Sequence, residues 1–222
     1  MRDRVISSFA IVFGLLTILP TGKALADSDR WYATANVGLG ELSSATLTYS
    51  DGDSEGSSES SFDASFAGGA TVGYQVNERF AIEGEIMYRR NEFGATELPG
   101  LGESTEGDFA SLALGINALY RFPIGDSGKL SGYVGPGYVY LQEIDIDFDS
   151  DGQQAVSFET DDSALQFKFG GRYQASDRWF VEAGATYLGA DSVRMELPAS
   201  PTETLQSDYE HWTLSVAVGL TF

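Results

Sequence analysis

From Trp212 to Phe222 the sequence alternates without a break. Trp212, Leu214, Val216, Val218, Leu220 and Phe222 share one face, and Thr213, Ser215, Ala217, Gly219 and Thr221 share the other. Period two specifies a strand, because successive side chains leave a sheet on opposite sides. A strand with one face wholly large and apolar invites aggregation while that face and its edges stay open. Closing the sheet into a ring pairs both edges, and a bilayer gives the apolar face its solvent. The stretch therefore needs further alternating strands able to close a barrel with it.

The rest of the chain supplies seven. Arg30–Gly40 sets Trp31, Ala33, Ala35, Val37 and Leu39 against Tyr32, Thr34, Asn36 and Gly38. Phe62–Val76 sets Phe66, Ala70, Val72 and Tyr74 against Gly69, Thr71, Gly73 and Gln75, and the short turn Asn77–Arg79 makes the next strand its antiparallel neighbour. That strand carries Phe80, Ile82, Ile86 and Tyr88 opposite Glu83, Glu85 and Arg89. A fourth sets Leu112, Leu114, Ile116, Ala118, Tyr120 and Phe122 against Gly115, Asn117 and Arg121. In the fifth, Leu130–Leu141, the run Tyr133-Val-Gly-Pro-Gly-Tyr138 blurs the alternation, and Pro136 is unusual in a paired strand without a bulge, so its facing stays open. The sixth sets Leu165, Phe167, Phe169 and Tyr173 against Gln166, Lys168, Gly170 and Arg172, and the seventh Trp179, Val181, Ala183, Ala185 and Tyr187 against Glu182, Gly184 and Thr186.

Connections alternate long and short along these strands, as in outer-membrane barrels with short periplasmic turns and long external loops. A soluble lipocalin-like barrel also closes an even number of strands. It would turn the large apolar residues inward and leave many glycines facing water, where they serve nothing; inside a narrow barrel they relieve crowding. Aromatics near strand ends (Trp31, Phe80, Tyr88, Tyr120, Phe122, Tyr187, Trp212) suit interfacial girdles. The expected fold is all-β: an eight-stranded antiparallel up-and-down transmembrane β-barrel over residues 27–222, preceded by a cleavable signal peptide over residues 1–26. Arg2 and Arg4, the apolar run Val5–Leu19 and the small-residue site Ala24-Leu25-Ala26 carry the signal-peptide reading.

Loss of residues 1–26 removes Arg2, Arg4, Lys23 and Asp3, leaving 10 of the 13 basic and 32 of the 33 acidic residues, a net of about −22. Such a surface repels nucleic acid and attracts divalent or polybasic partners. With no cysteine, a disulfide-stapled scaffold is excluded. The acids are segregated: 24 lie in the long segments 41–63, 91–108, 142–163 and 189–210, beside one base, Arg194, whereas the short turns hold Arg79, Lys129 and Arg178. Acidic loops can simply solvate the protein; they can also gather divalent cations that bridge anionic headgroups. Asp147, Asp149 and Asp151 followed by Gly152 open like a calcium loop, but the twelfth position is Phe158 where a bidentate Glu is needed. The same spacing suits an extended strand protruding past the membrane. No tightly held cofactor is expected.

On the inward faces Glu83, Glu85 and Glu182 accompany Arg89, Arg121, Lys168 and Arg172. Isolated buried charges are very costly, so these should pair. An eight-stranded barrel is about wide enough for side chains to fill it, which gives a polar plug. His211 is the single histidine and the only base available to a Ser-His-acid site; at a strand end it reads as an interfacial residue. Gly68-Gly69 and Gly135-Pro-Gly137 lead into no helix, which excludes a phosphate-binding loop.

Tyr133-Val-Gly-Pro-Gly-Tyr138, Phe169-Gly-Gly-Arg-Tyr173 leading into Ala175-Ser-Asp-Arg-Trp179, and Val218-Gly-Leu-Thr-Phe222 resemble the outer-membrane β-barrel domain family of the opacity-type surface proteins and the membrane domain of outer-membrane protein A. The resemblance spans the mature chain. It implies that Val218, Leu220 and Phe222 form the signal read by the barrel assembly machinery. No cell-wall-binding domain is expected after Phe222. The expectation is a monomeric, non-enzymatic barrel in the outer membrane, its N-terminus periplasmic, in contact with lipid and with an external ligand that the sequence does not name. It would act in surface interaction or envelope integrity. A narrow conduit for small solutes is the first alternative, and a lipid-modifying enzyme using His211 the second.

Overall fold

The computed structural model describes residues 30–222 apart from 44, 53–54, 61–62, 64, 94–95, 99–101, 105, 151–152 and 198–199. The proposed signal peptide lies outside the described residues. The ring strands are β1 (Trp31–Leu42), β4 (Ser65–Gln75), β5 (Phe80–Phe93), β8 (Glu106–Ile124), β9 (Leu130–Ser150), β10 (Gln153–Gln174), β11 (Trp179–Leu197) and β12 (Ser200–Thr221). They pair in chain order, all antiparallel, and β1 closes on β12 from Tyr32↔Thr221 to Leu42↔His211. The eight-stranded up-and-down ring is thus complete, with β12 as the closing strand. Two short strands, β2 (Ala45–Ser50) and β3 (Glu55–Ser60), continue the sheet from the far end of β12, and β6 (Thr96–Leu98) pairs with β7 (Gly102–Ser104) in a separate two-stranded sheet.

Strand faces follow the alternation. Leu39, Ile116, Leu165 and Leu214 are each about two-thirds exposed on the outside, and aromatic pairs, half exposed or less, lie at both margins of this band. Trp31 stacks near Tyr74 and Phe80 near Tyr120 at one margin, Tyr187 near Trp212 at the other. Phe80 and Tyr88 sit eight residues apart on β5, which spans about 27 Å along a strand and matches the apolar band once the strand tilts. Trp212 and Tyr187 hold the far margin because they are cross-strand neighbours.

The long segments differ from the expectation of loops. β9 and β10 run on to Ser150 and from Gln153, and β11 and β12 to Leu197 and from Ser200, so the wall rises beyond the band as continuous sheet. Bulges on β9 and β11 set the facing of this extension. On β9, Leu112 pairs with Glu143 and Ala113 with Leu141, which leaves Gln142 as an extra residue; on β11, Ala190 pairs with Tyr209 but Val193 with Ser207. Each extra residue inverts the facing beyond it. Val139 and Leu141 point inward before Gln142 and Ile144 and Ile146 after it; on β11 inward Leu188 and Ala190 give way to Val193 and Met195. With Leu42, Leu47, Phe109, Phe158 and Leu205 these fill the extension with an apolar core. The facing of β9, open in the sequence, is settled by this bulge. Pro136 needs none: it pairs with Phe167 on β10, while the ladder to β8 is interrupted between Asn117↔Gly137 and Tyr120↔Val134.

Candidate functional site

The interior of the apolar band is polar and layered. Nearest the short turns, Tyr32 on β1 and Phe180 on β11 cross the lumen with ring centroids 6.0 Å apart, edge to face. Space for them comes from their cross-strand partners, Gly73 for Tyr32 and Gly219 for Phe180. A Cβ at either glycine would overlap the ring. Arg121 and Arg172 lie over the Tyr32 ring at 4.6 and 4.5 Å, and Arg172 over Phe180 at 3.7 Å. This layer closes the lumen at the short-turn end.

Above it the charges pair. Lys168 Nζ is 2.6 Å from Glu85 Oε2 and 3.1 Å from Glu83 Oε2; Arg172 Nε donates to Glu182 Oε1 at 2.6 Å; Arg121 Nη2 is 3.7 Å from Glu83 Oε1. Tyr32 donates its hydroxyl to Glu83 Oε1 at 2.7 Å, so Glu83 is held from three strands. Gln166 adds Nε2 contacts to Asn117 Oδ1 at 2.5 Å and Glu85 Oε1 at 3.2 Å. The space left among these groups is about 20 Å³, lined by Thr34, Glu83, Glu85, Lys168 and Glu182 among others. That is about one water molecule.

Arg89 departs from the expected pairing. It is 1% exposed, its Nε donates to Thr213 Oγ1 at 3.3 Å, and no carboxylate of a described residue lies within ion-pair distance of it. His211 also departs: it is fully buried in the lumen, not interfacial. Asn91 Nδ2 donates to the Asp63 carbonyl at 3.1 Å, so its Oδ1 accepts from His211 Nε2 at 3.1 Å, and His211 Nδ1 then accepts from Thr213 Oγ1 at 3.2 Å. Both ring nitrogens are engaged and enclosed. The residue falls just outside the clean alternation that begins at Trp212, so the sequence alone does not fix its face.

Asp147 and Asp149 lie in β9, their backbones opposite Asp108 and Glu106 of β8. The Asp149 side chain and all of Asp151 lie outside the described residues. Up to Ser150 the stretch is extended strand, and among the described residues no three His, Cys, Asp or Glu side chains are placed to hold a metal ion. Tyr49 donates to Glu203 Oε2 at 3.0 Å in the extension; burial and this carboxylate push its hydroxyl up to about 12. Val218 faces outward, half exposed, and Phe222 N donates to the Trp31 carbonyl at 2.9 Å, tying the last residue to the first ring strand. Tyr32 and Phe180 were not singled out from sequence. Their signal was a large aromatic on an otherwise small-residue face, each opposite a glycine.

A family model described as the outer membrane protein beta-barrel domain matches residues 11–222. No curated protein matches the chain. Among solved structures, outer membrane protein OprG from Pseudomonas aeruginosa is similar at 14% identity and TM-score 0.61, covering 87% of this chain and 98% of that one. Outer membrane protein AlkL is similar at 19% identity and TM-score 0.52, covering 91% of this chain and 94% of that one. Neisserial surface protein A is similar at 18% identity and TM-score 0.50, covering 86% and 97%. At these identities the likeness is one of fold.

Proposed function

Since the chain belongs to the outer membrane protein beta-barrel domain family, we propose that it is a closed, monomeric, non-enzymatic barrel of the outer membrane that works through its external surface. The observation that carries this reading is the filled interior. A Tyr32–Phe180–arginine layer, a paired charge network with about 20 Å³ to spare, and an apolar core in the extension succeed one another along the axis. The alternation of short and long connections supports an orientation with the N-terminus and short turns periplasmic and the sheet extension outside. What the molecule then offers to its surroundings is an acidic wall, suited to divalent cations, headgroup bridging or a basic partner. A surface or envelope role follows. Val218, Leu220 and Phe222 serve as the assembly signal in this reading.

Enclosure of His211 argues against hydrolysis, since a general base must reach a substrate proton. The conduit reading needs a path that these layers block. Purified barrel in planar bilayers is expected to give no stepwise conductance. Discrete openings of constant size, present with wild type and absent with a mock preparation, would sink the closed-barrel reading.

A further inference from the structure

At the short-turn end the barrel opens into a blind cavity of about 620 Å³. Five arginines line it: Arg30, Arg79 and Arg178 around the rim, Arg121 and Arg172 on the floor. In a chain with 13 basic residues against 33 acidic ones, this is a strong local reversal of sign. Glu78 and Asp177 also line the cavity, on the exposed turns, and no ion pair joins either to a described residue. The floor arginines are more than nine-tenths buried; beyond their bonds to Gln75 and Glu182, Arg121 Nη2 faces Glu83 Oε1 at 3.7 Å, and Arg121 Nε and Arg172 Nη2 make no hydrogen bond to a described residue. Both guanidinium groups lie against the Tyr32 ring, that of Arg172 also against Phe180, and line the cavity from its floor, so the mouth keeps a positive base. Rim Arg79 donates to the girdle Tyr120 hydroxyl at 3.4 Å, a contact long enough to yield to a charged acceptor, and Arg30 donates to Tyr74 at the same distance.

We infer that this mouth is a binding site for a phosphate group carried on a larger body. Planar guanidinium forks recognise phosphate bidentately, and several converging forks in a recess shielded from bulk water strengthen each contact. The cavity is many times the size of a lone phosphate, so the group arrives attached to something. Because the Tyr32–Phe180 layer closes the floor, the ligand is held there and does not pass through. Two sources carry this chemistry: a phospholipid headgroup of the adjoining leaflet, or a soluble organic phosphate. The assignment rests on the closed-barrel reading, and its location in the periplasm on the proposed orientation; the binding itself depends on neither conductance nor orientation.

The test is a titration of the folded barrel in uncharged detergent micelles, following the arginine Nε–H resonances. One arm adds inorganic phosphate against sodium chloride of equal ionic strength, and the other adds phosphatidylglycerol. Saturable shifts at Arg121 and Arg172 are expected with phosphate, and tighter ones with phosphatidylglycerol if the headgroup is the source. R79Q and R178Q, both at exposed turns and compatible with folding, are each expected to weaken binding about tenfold, and E78Q to strengthen it. A response to phosphate no larger than to chloride, together with none to phosphatidylglycerol, overturns the inference. So does saturable binding that is unchanged in the R79Q/R178Q double variant.

Discussion

Lys168 is the residue on which the lumen network turns, because one ammonium on β10 answers two carboxylates of β5, Glu83 and Glu85. Removing one partner of a buried pair strands the other charge and typically costs about 3–5 kcal/mol. K168M is therefore expected to lower stability by that order, and K168M/E83Q/E85Q to recover most of it. Urea titration of the refolded barrel in vesicles, read by heat-modifiable migration, measures both. An unchanged midpoint in K168M would show that the pairing contributes nothing. At this scale the sequence was legible where period two ran cleanly: the inward carboxylates and bases could be named because a strand has only two faces. It misled where identity alone suggested a role. Arg89 was grouped with the paired charges, yet its neighbour is Thr213, since which inward residues meet across the lumen depends on strand stagger, and one strand's pattern does not contain it.

Elements were legible in the band and obscure beyond it, for a definite reason. Along β9 the even positions Tyr138, Tyr140, Ile144 and Ile146 look like one continuous apolar face, but the first two point out and the last two in. Gln142 lies between them as the extra residue, and nothing in its chemistry announces a bulge. The apolar residues of the acidic segments carry no clear period in the sequence, yet they are the core that lets those segments be sheet. Deleting Gln142 should restore simple alternation and turn Ile144 and Ile146 outward. Each buried Ile loses roughly 1.5–3 kcal/mol on exposure, which a two-residue hairpin end cannot recover. The expected outcome is a barrel that still inserts and remains heat-modifiable, with a protease-sensitive hairpin between residues 144 and 158. Wild-type protease resistance there would mean that the bulge does not set the facing.

The molecule as a whole stacks two unlike interiors inside one wall. Within the band, where the outside is lipid, the inside is polar and filled by paired charges; above it, where the outside meets water, the inside is apolar. The sequence's total of 33 acidic residues is thus concentrated on the half whose stability comes from hydrophobic burial. Like charges directly opposite across strands destabilise a sheet, and the register sets Asp108 against Asp147, with Arg90 at 3.0 Å from Asp108 as partial relief. The extension should therefore be the salt-sensitive half. Screening lengths fall from about 30 Å at 0.01 M to about 10 Å at 0.1 M, so raising sodium chloride across that range should slow amide exchange at Ile144, Ile146 and Phe158 and leave the amides of β5 in the band unchanged. If the acidic wall also gathers divalent cations, calcium chloride at equal ionic strength should protect those amides further, and chelator should return them to the sodium value. Equal protection by the two salts would reduce the acidic segments to solvation, and exchange indifferent to salt would remove the repulsion itself.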